Sequence, residues 1–296
     1  MNQDERRINA VSELLEEFGY DLFNDYNNFG LFSLLLTKKN KAFLFLEMYS
    51  VSLSSLISEV IAIKNMSSVS FIKFIYRFIY FTTKLLLFKI FIKNNSLIIV
   101  PSKLRKKYLE DVGYTNVVVV KNKPLEPIEA STKKNTIILS GNLRSLNAFD
   151  KFYNEFFDTV DLDVIGVNGS TKNFLLNNYP NVKINDYVEN KDLIKKLSES
   201  KYALISYDGY STNQILSASS KLFEIYNASC LPIINNNPGL LFECIDESIP
   251  FIVYDNQNDN FSIEASLNQY NKLVPEQKLF SDELKKLRCY LSEDSN

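Results

Sequence analysis

Short apolar runs of strand length alternate with stretches of helical period along this chain, and the alternation starts twice. AFLFLEMY (42–49), SLIIV (96–100) and VVVV (117–120) are runs of the first kind. VVVV is apolar at every position, as a strand must be when a parallel sheet buries both its faces. Ile8, Val11, Leu14, Leu15 and Phe18 recur at helical spacing before Gly19, and Tyr20–Phe23 reads as a short strand. KLRKKYLED (103–111) reads as a helix ending at Gly113. KNKPLEPIEAS (121–131), with two prolines and mixed charge, interrupts the pattern as a linker. Strands are then expected at IILS (137–140), LDVIG (162–166), VKINDY (182–187), YALISY (202–207), PII (232–234) and FIVY (251–254). Helices are expected at 145–157, 191–200 and 219–229. Strands alternating with helices imply βα units and parallel sheets, an α/β fold.

Length divides this pattern in two. At about 100–200 residues per domain, 296 residues suggest a pair of domains. The boundaries expected are 1–123, a reduced first domain, and 124–278, a second one. Residues 279–296 follow as a C-terminal helix and tail, with Leu284, Leu287 and Leu291 on one side. That helix either crosses back to the first domain or packs only on the second.

Composition removes several chemistries. The chain has no histidine, which excludes Ser-His-Asp triads, Cys-His dyads, His-ligated zinc and a His general base. Net charge is −2, so no overall basic field favours nucleic acid, and none is expected as a partner. Cys230, Cys244 and Cys289 form no CxxC pair, and so sparse a set fits a reducing cytoplasm and core positions. No metal ligand set is expected. The charged start, MNQDERRINAVSELLEEF, reads as an amphipathic helix rather than a leader.

Residues 70–93, SFIKFIYRFIYFTTKLLLFKIFIK, are apolar and aromatic but interrupted by Lys73, Arg77, Lys84, Lys89 and Lys93. No uncharged run approaches the roughly 18 residues of a spanning helix. Lys73, Arg77 and Lys84 share one face at about 100° per residue. Two readings fit: an interfacial helix in peripheral contact with a membrane, and a long helix packed on the sheet with its lysines in solvent.

Ser206–Gly239, SYDGYSTNQILSASSKLFEIYNASCLPIINNNPG, carries the chemistry. A strand–loop–helix unit brings backbone N–H groups and the positive helix end to the carboxyl edge of a parallel sheet, where phosphates bind. Ser219 and Ser220 are good N-cap residues. Lys221 and Glu224 lie three apart on one helix face, a spacing equally satisfied by a surface ion pair.

The same stretch resembles the C-terminal domain of family 4 and related GT-B glycosyltransferases. Lys221-Leu222-Phe223-Glu224, Pro232-Ile233-Ile234 and Pro238-Gly239 match the family pattern as they stand, and Asn213 falls where its loop asparagine is expected. Glu224 to Pro232 is one residue longer than the usual span, and Ser229-Cys230 replaces the turn glycine. Ile137–Gly141 followed by Asn142-Leu143-Arg144 is similar to the first C-domain strand and its turn, with Arg144 in reach of a donor diphosphate. Ile165–Gly169 and Lys183–Val188 are similar to later turns and strands, with Asp186 at the place of a common glycine. Asp4–Arg7 resembles a D-x-R segment ahead of the first helix in some relatives. Glu47, after the FLFLE run, falls where relatives carry a Glu or His toward the cleft; it orients or deprotonates the acceptor, or is a solvent-facing strand end.

The resemblance implies two Rossmann-like domains facing across a cleft. It implies transfer of a sugar from a nucleoside diphosphate sugar, UDP- or GDP-linked, to a glycan or polyprenyl-linked acceptor in bacterial surface polysaccharide synthesis. Retention of anomeric configuration, no metal and no further cofactor are expected. Glu224 would accept hydrogen bonds from the ribose hydroxyls. Gly141, Arg144, Asn213, Ser219, Ser220 and Lys221 would hold the rest of the donor. The alternative is a non-catalytic subunit of the same fold that supports another transferase. The expected location is cytoplasmic, at or near the inner membrane.

Overall fold

A computed structural model of the chain describes residues 3–24, 40–44, 53–64, 71–91, 96–129, 131–140, 153–154, 160–167, 169–179, 182–207, 212–217, 219–254, 270 and 276–294. In chain order the elements are α1 (Gln3–Glu17), β1 (Tyr20–Asn24), β2 (Asn40–Leu44), α2 (Leu53–Lys64), α3 (Phe71–Phe91), β3 (Leu97–Val100), α4 (Lys103–Asp111) and β4 (Val117–Val119). There follow β5 (Lys134–Ser140), β6 (Asp161–Ile165), α5 (Gly169–Asn178), β7 (Val182–Asn185), α6 (Asn190–Glu199), β8 (Ser200–Ile205) and α7 (Thr212–Ile215). The last are α8 (Ser220–Asn227), β9 (Leu231–Ile234), α9 (Pro238–Asp246), β10 (Ile252–Val253) and α10 (Phe280–Asp294).

The chain forms two compact units. The first comprises Met1–Leu125, Gly209–Ala218 and Leu279–Asn296; the second comprises Glu126–Asp208 and Ser219–Lys278. Each is built on one parallel sheet.

The first sheet runs β1-β2-β3-β4, every neighbouring pair parallel. Alternation along β3 explains why its sequence is apolar throughout. Leu97 and Ile99 point into one cluster with Val11, Leu14 and Leu15 of α1, while Ile98 and Val100 point into another with Phe43 and Leu109. Helix α10 joins the α1 side of this sheet. Its Leu287 and Leu291 are fully buried there, Phe280 N–H donates to Pro124 O at 2.8 Å, and Lys123 pairs with Glu283 at 2.8 Å. The end of the chain thus belongs to the unit in which it begins.

The second sheet runs β10-β9-β8-β5-β6-β7, again parallel throughout. Ile137, Leu139, Tyr202, Leu204 and Ile233 face one core; Ile138, Ala203, Ile205 and Ile234 face the other. From β5 the chain winds outward through β6 and β7, then returns to the far side of β5 as β8, β9 and β10. The strand order therefore reverses between β5 and β8. In open α/β sheets the carboxyl edge at such a reversal is where ligands bind.

The expected helix at 145–157 falls mostly outside the described residues. Of the FLFLE run, β2 is described only to Leu44.

Candidate functional site

The carboxyl ends of β5, β8, β9 and β10 carry a connected set of polar groups within the second unit. Beyond β8, Tyr207 is held by Asn235, the residue just after β9. Tyr207 N–H donates to Asn235 Oδ1 at 3.1 Å, and Asn235 Nδ2 donates to Tyr207 O at 2.6 Å. Ser206 Oγ and Tyr254 OH share a hydrogen bond at 2.9 Å. Tyr207 OH donates to Ser219 Oγ at 2.9 Å, at the start of α8.

Ser219 occupies the N-cap position of α8 with extended backbone (φ −77, ψ 116), but its hydroxyl makes no side-chain cap bond and receives Tyr207 instead. Ser220 is not a cap: it is the first helical residue. From the first turn Lys221 Nζ donates to Ser140 O, at the end of β5, at 2.7 Å. That bond fastens the helix start to the sheet where the strand order reverses. Burial lowers the Lys221 pKa, and the Glu224 carboxylate opposes the shift by favouring the charged ammonium. Glu224 is 6 % exposed. The Lys221–Glu224 spacing is therefore not a surface ion pair. It puts a cation, tied to the carboxyl end of β5, one helical turn from a buried carboxylate whose charge it feels. A cation suits a diphosphate, and a carboxylate suits a vicinal diol.

Two further sequence expectations have a structural answer in the first unit. Asn213 lies in α7, whose segment is clasped by the buried Arg105: its Nε donates to Leu216 O at 2.9 Å and its Nη2 to Asn213 O at 3.4 Å. Ser58 Oγ accepts from Thr212 N–H at 3.2 Å, and Leu216 packs against the Phe43 cluster. Arg7 of the D-x-R segment is 4 % exposed and bonds to Asp4, Gln3 and Lys123 O. The cavity beside it, lined by Asp4, Arg7, Val120 and Phe280 among others, measures about 20 Å³, room for about one water. Glu47, Gly141 and Arg144 lie outside the described residues.

Sequence reasoning passed over Ser206, Tyr207, Asn235 and Tyr254. Their signal was position: each directly follows, or lies one residue beyond, the last residue of a strand in a parallel sheet.

Two acidic groupings are not part of this edge. Asp161 and Asp163 form a D-x-D spacing, but both sit within β6, where Asp161 pairs with Lys183 at 3.0 Å and Asp163 with Lys196 at 2.8 Å and with Asn185. Glu243, Asp246 and Glu247, at the end of α9, bring carboxylate oxygens within 4.8 Å of one another. Lys278 answers Glu247 at 3.3 Å.

Solved structures share this architecture. One in a GtfA/B complex has TM-score 0.54 at 12 % identity, over 97 % of this chain and 59 % of the other. A glycosyltransferase from Rickettsia africae has TM-score 0.55 at 13 % identity, over 97 % of this chain and 80 % of the other. HepE of Anabaena, in complex with UDP-glucose, has TM-score 0.52 at 9 % identity, over 96 % of this chain and 77 % of the other. The chain has the GT-B fold of two Rossmann-like domains. It spans less than three fifths of the GtfA/B chain it matches. No protein-family model and no curated relative matches the sequence.

Proposed function

We propose that this chain is a glycosyltransferase that takes its sugar from a nucleoside diphosphate sugar, UDP- or GDP-linked, bound on the second unit. The observation that carries the reading is the half-buried Lys221 of α8, bonded to Ser140 O at the carboxyl edge where the strand order of the sheet reverses, with the buried Glu224 one turn further along the helix. Glu224 accepts hydrogen bonds from the ribose hydroxyls. Lys221, Ser219, Ser220 and the N-terminal end of α8 face the diphosphate, with Gly141 and Arg144 completing the donor site as the family resemblance implies; Asn213, which the resemblance also places there, belongs to the first unit. The fold likeness to glycosyltransferases supports the same class of donor.

Departure of the nucleoside diphosphate leaves a concentrated negative charge. A helix N-terminus and a lysine neutralise it without proton transfer, consistent with a chain that has no histidine. In this reading the reaction is metal-independent and retains anomeric configuration, and Glu47 orients or deprotonates the acceptor hydroxyl. The acceptor is a glycan or a polyprenyl-linked glycan of a bacterial surface polysaccharide. The enzyme works in the cytoplasm in peripheral contact with the inner membrane through residues 70–93.

Glu224→Ala tests the donor site directly. Losing a charged acceptor for two hydroxyls is expected to weaken nucleotide binding by about 2–3 kcal/mol, with the circular dichroism spectrum unchanged. Unaltered nucleotide affinity in a folded variant refutes the assignment.

A further inference from the structure

Helix α3 exposes an unusual amount of apolar surface. Of the ten side chains from Phe71 to Tyr80, nine are exposed and only Phe74 is half-buried. Phe71 is 76 % exposed, Ile72 79 % and Tyr76 71 %. Single surface hydrophobics are ordinary, whereas contiguous ones mark a surface that something covers. At about 100° per residue, Phe78, Phe71, Ile75, Ile79, Ile72 and Tyr76 fill an arc of about 160°. Lys73 and Arg77 lie on the opposite side, about 160° from the middle of that arc. Helix α2 packs against α3 and adds Ile57 and Ile61, one turn apart and 51 % and 48 % exposed.

Charge identifies the occupant. Between Phe71 and Phe91 there are four basic residues, Lys73, Arg77, Lys84 and Lys89, and no acidic one, in a chain whose net charge is −2. A second copy docked on the same surface brings more positive charge against it. An anionic bilayer brings the opposite sign. No described helix is long and apolar enough to cross a membrane, so a lipid surface is met from the side.

We propose that α2 and α3 together form a docking surface for anionic phospholipid. Helix α3 lies in the interfacial plane, its apolar arc against the acyl chains and its basic residues reaching the headgroups along their aliphatic stems. Ile57 and Ile61 of α2 widen the inserted patch. This gives the peripheral contact of the proposed function a lipid chemistry and a geometry. Because binding to lipid needs no sugar donor, failure here leaves the transferase reading standing, and the reverse.

Flotation of the full chain with phosphatidylglycerol–phosphatidylcholine vesicles, against phosphatidylcholine vesicles alone, is the test. The protein is expected to float with the anionic vesicles at low salt and to be released at high salt. Lys73→Gln with Arg77→Gln is expected to lower partitioning roughly thirtyfold, about fivefold for each charge removed. Phe71→Ser with Ile72→Ser and Ile79→Ser is expected to weaken flotation while leaving the melting curve unchanged, since all three side chains are exposed. A protein that stays at the bottom with anionic vesicles at low salt overturns the proposal. So does equal, salt-independent binding to both vesicle types. Self-association in gel filtration that the triple variant abolishes, without flotation, assigns the surface to a second copy instead.

Discussion

Glu283 keeps a negative charge where only 2 % of its side chain is exposed. Burial alone raises its pKa, but hydrogen bonds from Lys123 and Lys286, the Lys123 charge and the Lys121 N–H more than offset that, holding it below its ordinary 4.5. A depressed folded-state pKa contributes stability that is present above the ordinary glutamate value and is lost as pH falls through the folded one. Glu283→Gln leaves the buried Lys123 facing a neutral amide, with an expected cost of about 3 kcal/mol in denaturant unfolding at neutral pH. The gap from the wild type should close as the pH drops below the carboxylate range; a gap indifferent to pH contradicts the ion-pair account. The thiols differ just as sharply. Burial pushes Cys230 up to about 12, only partly opposed by Lys133, and burial also raises Cys244, whereas Cys289 is exposed. A thiol reagent is expected to modify Cys289 quickly in the native protein and the other two only on unfolding. Rapid modification of Cys230 would show that its core is open.

At the scale of elements, the end of α8 shows how a departure from a sequence pattern is absorbed. The resembled family places a glycine in this turn; here Ser229 takes the left-handed conformation, φ +55, with its carbonyl accepting from Tyr270. A non-glycine residue there costs about 1 kcal/mol, so Ser229→Gly is expected to raise the melting temperature. A lowered one would mean that the serine side chain holds the turn. Helix α9 illustrates a signal that was present and passed over. Asn237 Oδ1 accepts from Gly239 and Leu240 N–H at 3.0 and 3.1 Å, with Pro238 in the first turn. Asn-Pro-Gly reads as the close of a strand motif until the apolar residues Leu240, Leu241 and Cys244 are seen to continue at helical spacing.

At the scale of the molecule, two parallel sheets were legible because buried strands must be apolar and short, and because Lys121–Ser131 breaks the alternation with two prolines. Strand order was not legible: nothing in the sequence of β8 states that it returns beside β5 rather than continuing past β7. Nor does local pattern reveal that residues 209–218, lying between β8 and α8, belong to the first unit, since that follows from Leu216 and the distant buried Arg105. At the candidate site, Lys221, Glu224 and Ser219 were readable from helix spacing, while Tyr207 and Asn235 depend on which strands are neighbours. The central claim is that the second unit binds a nucleotide-activated sugar through α8. The most direct measurement is thermal unfolding of the wild type and Glu224→Ala against UDP-, GDP-, ADP-, TDP- and CMP-linked sugars. One nucleotide class is expected to stabilise the wild type, by about 2.7 kcal/mol at a hundredfold excess over Kd, and to lose that effect in Glu224→Ala. Stabilisation by none of them, or equal stabilisation of the variant, would contradict the account.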